Sequence, residues 1–221
     1  MNQVIELDDS HYITSGVERA VYQHPTDPQK LLKVLRAQDG QNTRFTFRDI
    51  TTRLMPDVRL RLIRKEYDEY MRVQLRYPSP DIRLPITHLY GLAQTSRGLA
   101  CVAERVSGRD GGVGTTMKKM IQDGTFSQTE LGLFNTLVRQ FYDLGIRAGD
   151  LKPHNLVFGY RDAGYECVLV DGFGDIHALP VRSLGRWANA IGLNDSFQIV
   201  AKRTGLIWDR KDRTFRRPDD T

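Results

Sequence analysis

Little in this chain of 221 residues can cross-link it, carry it through a bilayer or ligate a soft metal. It has two cysteines, Cys101 and Cys167, each inside an apolar run. Two thiols without metal-type spacing exclude a disulfide framework and a zinc site, and they read as buried and reduced. No apolar run reaches the about 20 residues that a membrane helix requires. The opening Met-Asn-Gln-Val-Ile-Glu lacks the basic and apolar regions of a secretory signal, so the expected location is cytoplasmic. A recognised nucleic-acid motif and interleaved aromatics are missing too, which leaves nucleic-acid binding without a carrier. What remains is a modest basic excess, 32 Lys and Arg against 27 Asp and Glu for a net charge of +5. That balance favours an anionic partner without choosing among them. Apolar residues make up 40% of the chain, enough for one large domain or two packed lobes and too many for general disorder.

The chemistry concentrates between Gly149 and Gly174. Gly149-Asp150-Leu151-Lys152-Pro153-His154-Asn155 runs into the apolar strand Leu156-Val157-Phe158. A second strand, Val168-Leu169-Val170, comes back and presents Asp171-Gly172-Phe173-Gly174. Asp150 can hold an acceptor hydroxyl and take its proton, and Lys152 can balance charge on a phosphoryl group. Asn155 and Asp171 offer hard oxygen ligands for a hard cation. Phosphoryl transfer from a nucleotide such as ATP asks for this inventory, because its catalysis is mainly positioning and charge neutralisation.

These two loops resemble the catalytic and metal-binding loops of the protein-kinase-like fold. Asp-x-Lys-Pro-x-Asn stands intact, while Asp-Gly-Phe-Gly replaces Asp-Phe-Gly. Along the earlier chain, Tyr12 to Gln23 reads as strand, turn, strand. Gly16 falls on the middle glycine of the kinase phosphate-covering loop, with Thr14 and Arg19 in place of the outer two. Lys30 to Leu35 alternates as a strand whose inward Lys33 must find an anion; the resemblance makes it the contact to the α/β-phosphates. Lys30 reads as a solvated edge residue. The polar stretch 37–58 reads as an insertion. Val58 to Arg76 has the pattern of a helix, with Glu66 on its core-facing stripe. A carboxylate there needs a cation, and Lys33 is the natural partner, with Glu69 one turn along as the other candidate. The basic residues of this helix, Arg72 and Arg76 among them, read as a solvated face or, alternatively, as a contact to phosphate. Leu84 to Ala93 and Leu99 to Val106 form a hairpin across Thr95-Ser96-Arg97-Gly98. By resemblance, Glu104 and Val106 then lie where a hinge holds adenine through main-chain hydrogen bonds.

Gly111-Gly112-Val113-Gly114 reads as a flexible connector. After it, Ser127 and Glu130 make a capping box, Phe126 and Leu131 a hydrophobic staple, and Gly145 a helix stop. Kinases carry His-Arg before the catalytic Asp, where this chain has Ala148 and Gly149. The metal loop thereby lacks the His that braces it in those enzymes, and regulation through a phosphorylated activation loop lacks its Arg. Beyond Asp175, Val181 to Gly192 and Asp195 to Gly205 suggest two short helices in place of a long activation segment. Trp208 to Thr221 mixes five basic residues with aspartates and reads as a frayed tail, or as a contact to a membrane surface or anionic substrate.

Taken together, the Lys33 strand, the Glu66 helix, Leu151 to Asn155 and Asp171 to Gly174 resemble the YrbL-type family, the PhoP regulatory network proteins, over roughly Ser10 to Arg203. That regulon answers low magnesium and envelope stress, which implies a link to an envelope component and supplies no substrate. The resemblance implies an α+β, bilobal protein-kinase-like fold. Residues 1–106 would form a lobe with a five-stranded antiparallel sheet and one helix, 107–205 a reduced and mostly helical lobe, and 206–221 a charged tail. It implies Mg²⁺-dependent transfer of phosphate from ATP to an unidentified hydroxyl acceptor. Asp150 and Lys152 would be catalytic, Asn155 and Asp171 would hold Mg²⁺, and Gly16, Lys33, Glu66, Glu104 and Val106 would serve the nucleotide. The alternative is a nucleotide-binding pseudokinase or regulatory module without turnover, favoured by the lost His and the single glycine of the phosphate loop.

Overall fold

The computed structural model describes residues 4–16, 19–35, 57–79, 81–162, 164–174 and 185–220. Residues 37–56 of the expected insertion lie outside these. The chain divides into two compact units, Met1–Leu62 with His88–Arg105, and Ile63–Thr87 with Val106–Thr221.

The first unit is a five-stranded antiparallel sheet in the order β1 (Tyr12–Ser15), β2 (Arg19–Gln23), β3 (Lys30–Leu35), β5 (Gly98–Glu104), β4 (Leu89–Thr95). Alternation sets its faces. Leu32 and Val34 on β3 join Ala20, Tyr22, Ala100, Val102 and Leu7 in one apolar cluster, and a slip of one residue would turn that set outward. The β4–β5 turn is two residues, Ser96-Arg97, with Gly98 at φ +115°. The expected first strand of this hairpin is shorter than Leu84 to Ala93. Leu84 to His88 stay out of the sheet because Ile86 and Thr87 pair instead with Leu169 in the second unit.

Helix α1 (Asp57–Arg76) separates β3 from β4 in sequence, and from Ile63 onward it belongs to the second unit. Ile63, Glu66, Tyr70 and Val73 are buried at spacings of three, four and three residues, the period of one helical face. The strand order, with a helix inserted between the third and fourth strands, is that of the protein-kinase-like fold, and the class is α+β.

The second unit continues with β6 (Thr115–Thr116), α2 (Met117–Gln122), α3 (Gln128–Leu144), β7 (Leu156–Arg161), β8 (Gly164–Leu169), α4 (Arg186–Thr204), β9 (Ile207–Asp209) and β10 (Thr214–Arg216). Helix α3 begins at the expected capping box, Ser127 with Glu130, and ends at Gly145 in the left-handed region with φ 62°. Strands β6, β7 and β8 form a three-stranded sheet. Gly111 to Gly114 is no flexible connector. Val113 bridges Ser107, and Gly114 packs so closely that an added Cβ would lie 2.7 Å from Phe158 O. These glycines permit two main chains to meet.

Two further expectations are corrected. In place of two short helices there is one, α4, running through Gly192 because Leu193, Phe197 and Val200 beyond it are fully buried; residues 181–184 lie outside the described set. The charged C-terminal stretch is no frayed tail but the β9–β10 hairpin, in which Trp208 pairs with Phe215. Both rings pack against Phe197, and the Asn135 amide brackets Phe215 by accepting from its N–H at 2.7 Å and donating to its C=O at 3.0 Å. Two aromatics suffice to bury a strand pair that is otherwise charged.

Cys101 and Cys167 are both free and buried, and burial pushes the Cys167 thiol well up. The folded protein is expected to give no reaction with iodoacetamide at neutral pH and two alkylated thiols in denaturant, read by mass spectrometry. Rapid labelling of either cysteine under native conditions would refute this burial.

Candidate active site

The loops that carry the chemistry are joined through main chain. β7 and β8 pair from Leu156↔Leu169 to Arg161↔Gly164, so Asn155 and Val170 emerge side by side, and Val170 N–H donates to Asn155 O at 2.9 Å. The incoming segment is tied to the outgoing one in the same way. Gly149 N–H donates to Gly174 O (3.0 Å), Asp150 N–H to Gly172 O (3.1 Å), and Gly174 N–H to Arg147 O (2.8 Å). Ala148 bridges both Phe173 and Gly174. A short stretch of main-chain pairing therefore holds the two loops together.

Asp150 and Lys152 form an ion pair, Lys152 Nζ to Asp150 Oδ1 at 2.7 Å, with both side chains partly exposed. Asn155 donates from Nδ2 to Asp150 O (3.3 Å), which leaves Oδ1 as the amide atom for a cation. One Asp171 oxygen, Oδ1, accepts the N–H of Gly172 at 2.9 Å. Next along the loop, burial and then the charge of Lys152 hold the His154 imidazole below its ordinary range.

The extra glycine of Asp-Gly-Phe-Gly has a steric reason. Gly172 has φ +80°, and a Cβ there would lie 2.7 Å from Asp150 O and 3.1 Å from Asn155 Nδ2. Gly174 is equally confined, since its Cβ would meet Lys65 O of α1 at 2.6 Å. Gly16, by contrast, would bring a Cβ no closer than 3.9 Å, to Arg19 O, among the described residues. Its N–H closes the β1–β2 turn on that same carbonyl at 2.9 Å.

The two glutamates of α1 have separate tasks in the second unit. Glu66 is buried, and its Oε1 accepts from Gly172 N–H at 3.2 Å, tying the helix to the Asp171 loop. Glu69, 2% exposed, takes both Nε (2.9 Å) and Nη2 (2.5 Å) of Arg72 and the main-chain N–H of Arg147 (2.7 Å). It is therefore committed to holding the segment that delivers Asp150. Lys33 lies buried on β3, opposite Val21 on β2 and Cys101 on β5. It belongs to the first unit and Glu66 to the second. Glu104 exchanges two bonds with His88, its N–H to His88 O and its Oε2 from His88 N–H, while Val106 O accepts from Gly114 N–H.

A sequence profile described as PhoP regulatory network protein YrbL matches residues 5–205. The chain belongs to this family. No curated protein matches it. Among solved structures, a point mutant of the Mycobacterium tuberculosis PknI kinase domain is 18% identical with a TM-score of 0.47, covering 95% of this chain and 81% of that one. WbdD is 11% identical at a TM-score of 0.49, over 86% of this chain and 37% of its own. A Rad53 fragment in complex with AMP-PNP is 14% identical at 0.46, over 92% and 50%.

For this YrbL family member, sequence reasoning overlooked the residues that support the loop from behind. Arg147 and Asn189 are the clearest, the latter donating from Nδ2 to Ile146 O at 3.0 Å from within α4. The only sequence signal of Asn189 is a polar residue at a core-facing helical position, and Arg147, in the loop after α3, acts through its main-chain N–H and leaves none. Among the described residues no helix is long and apolar enough to cross a membrane.

Proposed function

We propose that the chain transfers the γ-phosphoryl group of ATP to a hydroxyl acceptor with Mg²⁺ bound. One observation carries this reading: the main-chain pairing of Asp150 with Gly172, which gathers Asp150, Lys152, Asn155 and Asp171 at one end of the β7–β8 hairpin. In the step, the acceptor oxygen attacks the γ-phosphorus and forms a new P–O bond. The bond from that phosphorus to the β–γ bridging oxygen breaks, and ADP leaves with the electron pair. Asp150 orients the hydroxyl and receives its proton, while Lys152 neutralises charge building on the transferred group.

Asn155 Oδ1 and the carboxylate of Asp171 are hard oxygen donors whose neighbouring atoms are already committed, a donor set that suits Mg²⁺. The ion would supply positive charge at the β- and γ-phosphate oxygens. Gly16, Lys33, Glu66, Glu104 and Val106 are assigned to the nucleotide as the family resemblance implies. The second reading, nucleotide binding without turnover, draws on the Lys152–Asp150 ion pair, which already engages one oxygen of the proposed base.

The test is thermal unfolding with ATP, with and without Mg²⁺, for the wild type and Asp171→Asn. Ligand at about 100 times its Kd stabilises by about 2.7 kcal/mol. For a chain of this size that is a rise in Tm of roughly 5–10 °C. The rise should require Mg²⁺ and vanish in Asp171→Asn. No Mg²⁺-dependent shift of the wild type at millimolar ATP sinks the nucleotide assignment.

A further inference from the structure

The second unit also contains a cavity of about 480 Å³ that the ATP reading does not use. Arg72 and Arg76 of α1, Arg147 before the Asp150 loop, and Arg213 at the tip of the β9–β10 hairpin all line it. Trp187 and Asn189 of the first turns of α4 complete its chemistry.

Four guanidinium groups facing one space repel each other. Glu69 lies against two of them and offsets one of their two charges, holding Arg72 bidentately and lying 3.8 Å from Arg147 Nη1. Arg76 and Arg213 pair with no carboxylate among the described residues. Arg76 lies 5.6 Å from the Tyr77 ring and Arg213 4.2 Å over the Tyr142 ring. The surplus positive charge calls for an anion, and planar guanidinium forks match the oxygens of phosphate.

Asn189 says what else the ligand carries. Its side chain is buried, its Nδ2 is fixed on Ile146 O, and its Oδ1 is a buried acceptor with no hydrogen-bond partner among the described residues. Such a group is rare and costly unless a donor comes to it. Inorganic phosphate near neutral pH keeps an O–H only beside the oxygens that the arginines would hold, whereas an alcohol on a phosphomonoester offers an O–H separate from its phosphate. Trp187, 66% exposed at the rim, presents a flat apolar face suited to the carbon skeleton of a polyol or sugar.

We propose that this cavity binds a phosphomonoester of a hydroxyl-bearing ligand, its phosphate held by the arginines and a ligand hydroxyl donating to Asn189 Oδ1. The same chemistry occurs in a free polyol phosphate and in a lipid headgroup. The chain is therefore titrated by calorimetry, at fixed ionic strength and without nucleotide, with glycerol 3-phosphate, with inorganic phosphate, and with phosphatidylcholine vesicles with and without lysophosphatidic acid, which keeps a free glycerol hydroxyl beside its phosphomonoester. Glycerol 3-phosphate should saturate one site and bind several-fold tighter than inorganic phosphate. Saturable binding only to the vesicles that carry lysophosphatidic acid would assign the lipid source of the same group.

The Arg76→Gln/Arg213→Gln variant should bind at least tenfold more weakly. Arg76→Gln alone, which leaves the Arg213–Tyr142 stack intact, should give part of that loss. Asp171→Asn should bind the ester as the wild type does, which separates failure of this site from failure of the nucleotide site. Absence of saturable binding to every probe, or unchanged affinity in the double variant, overturns the proposal. Equal affinity for inorganic phosphate and the ester removes the hydroxyl contact from it.

Discussion

Asp150→Asn is expected to lower Mg²⁺-dependent ADP formation by roughly 100- to 10,000-fold while leaving Mg·ATP affinity within about twofold. The two halves of this expectation come from different atoms. The carboxylate is proposed to take the acceptor's proton, which an amide cannot do, whereas the main-chain atoms of Asp150 that organise the site are unchanged by the substitution. Its N–H still reaches Gly172 O and its C=O still accepts from Asn155. The side chain is partly exposed and its ion pair with Lys152 is solvated, so loss of stability should stay below about 1 kcal/mol. Asp171→Asn should show the reverse split, with the affinity for Mg·ATP collapsing first. Turnover can be read with water as the acceptor, so the experiment does not wait for the natural substrate. Wild-type turnover retained in Asp150→Asn, at equal nucleotide affinity, would remove Asp150 from the chemistry. Nucleotide binding with no turnover in the wild type would favour the binding module.

What was legible in the sequence depended on how local its physics is. The β3 strand of Lys30 to Leu35 and the capping box of α3 are each dictated by residues within a few positions of one another, and both stand where the pattern puts them. The hairpin between the two Asp-bearing loops is of the same kind, two apolar runs around a polar turn. The continuity of α4 through Gly192 was not legible, because it depends on pockets for Leu193 and Phe197 supplied by distant elements. The C-terminal hairpin was hidden for a similar reason. Its two aromatics find Phe134 and Phe197, separated from them by up to 81 and as few as 11 positions, and no window centred on the charged run contains both partners. Gly172 was visible as a departure from a motif, but its cause is a 2.7 Å approach to Asp150 O that only the folded loops create. The choice between Glu66 and Glu69 was likewise beyond helical spacing, since both lie on the buried side. Partners on other segments divide them, Gly172 for one and Arg147 for the other.

Glu69→Ala should therefore be among the most damaging single changes in the chain, costing about 3–5 kcal/mol, the range for removing one partner of a buried ion pair. Three donors lose their acceptor at once: two nitrogens of Arg72 and the main-chain N–H of Arg147. Arg72 also donates to Gly145 O at 2.7 Å, so the carboxylate fastens both the end of α3 and the start of the segment that leads to Asp150. At this chain length the loss corresponds to a fall in Tm of roughly 6–20 °C. Arg72→Ala should cost less, because its side chain is 26% exposed and its removal leaves Glu69 with the Arg147 N–H and guanidinium nearby. In the double variant, the cost should fall short of the sum of the two singles by at least about 1 kcal/mol, since each single already breaks the shared contact. Denaturant unfolding of the wild type and the three variants measures that coupling. Strict additivity would mean that the network does not act as a unit, and that Glu69 supports the Asp150 loop through its bond to Arg147 alone.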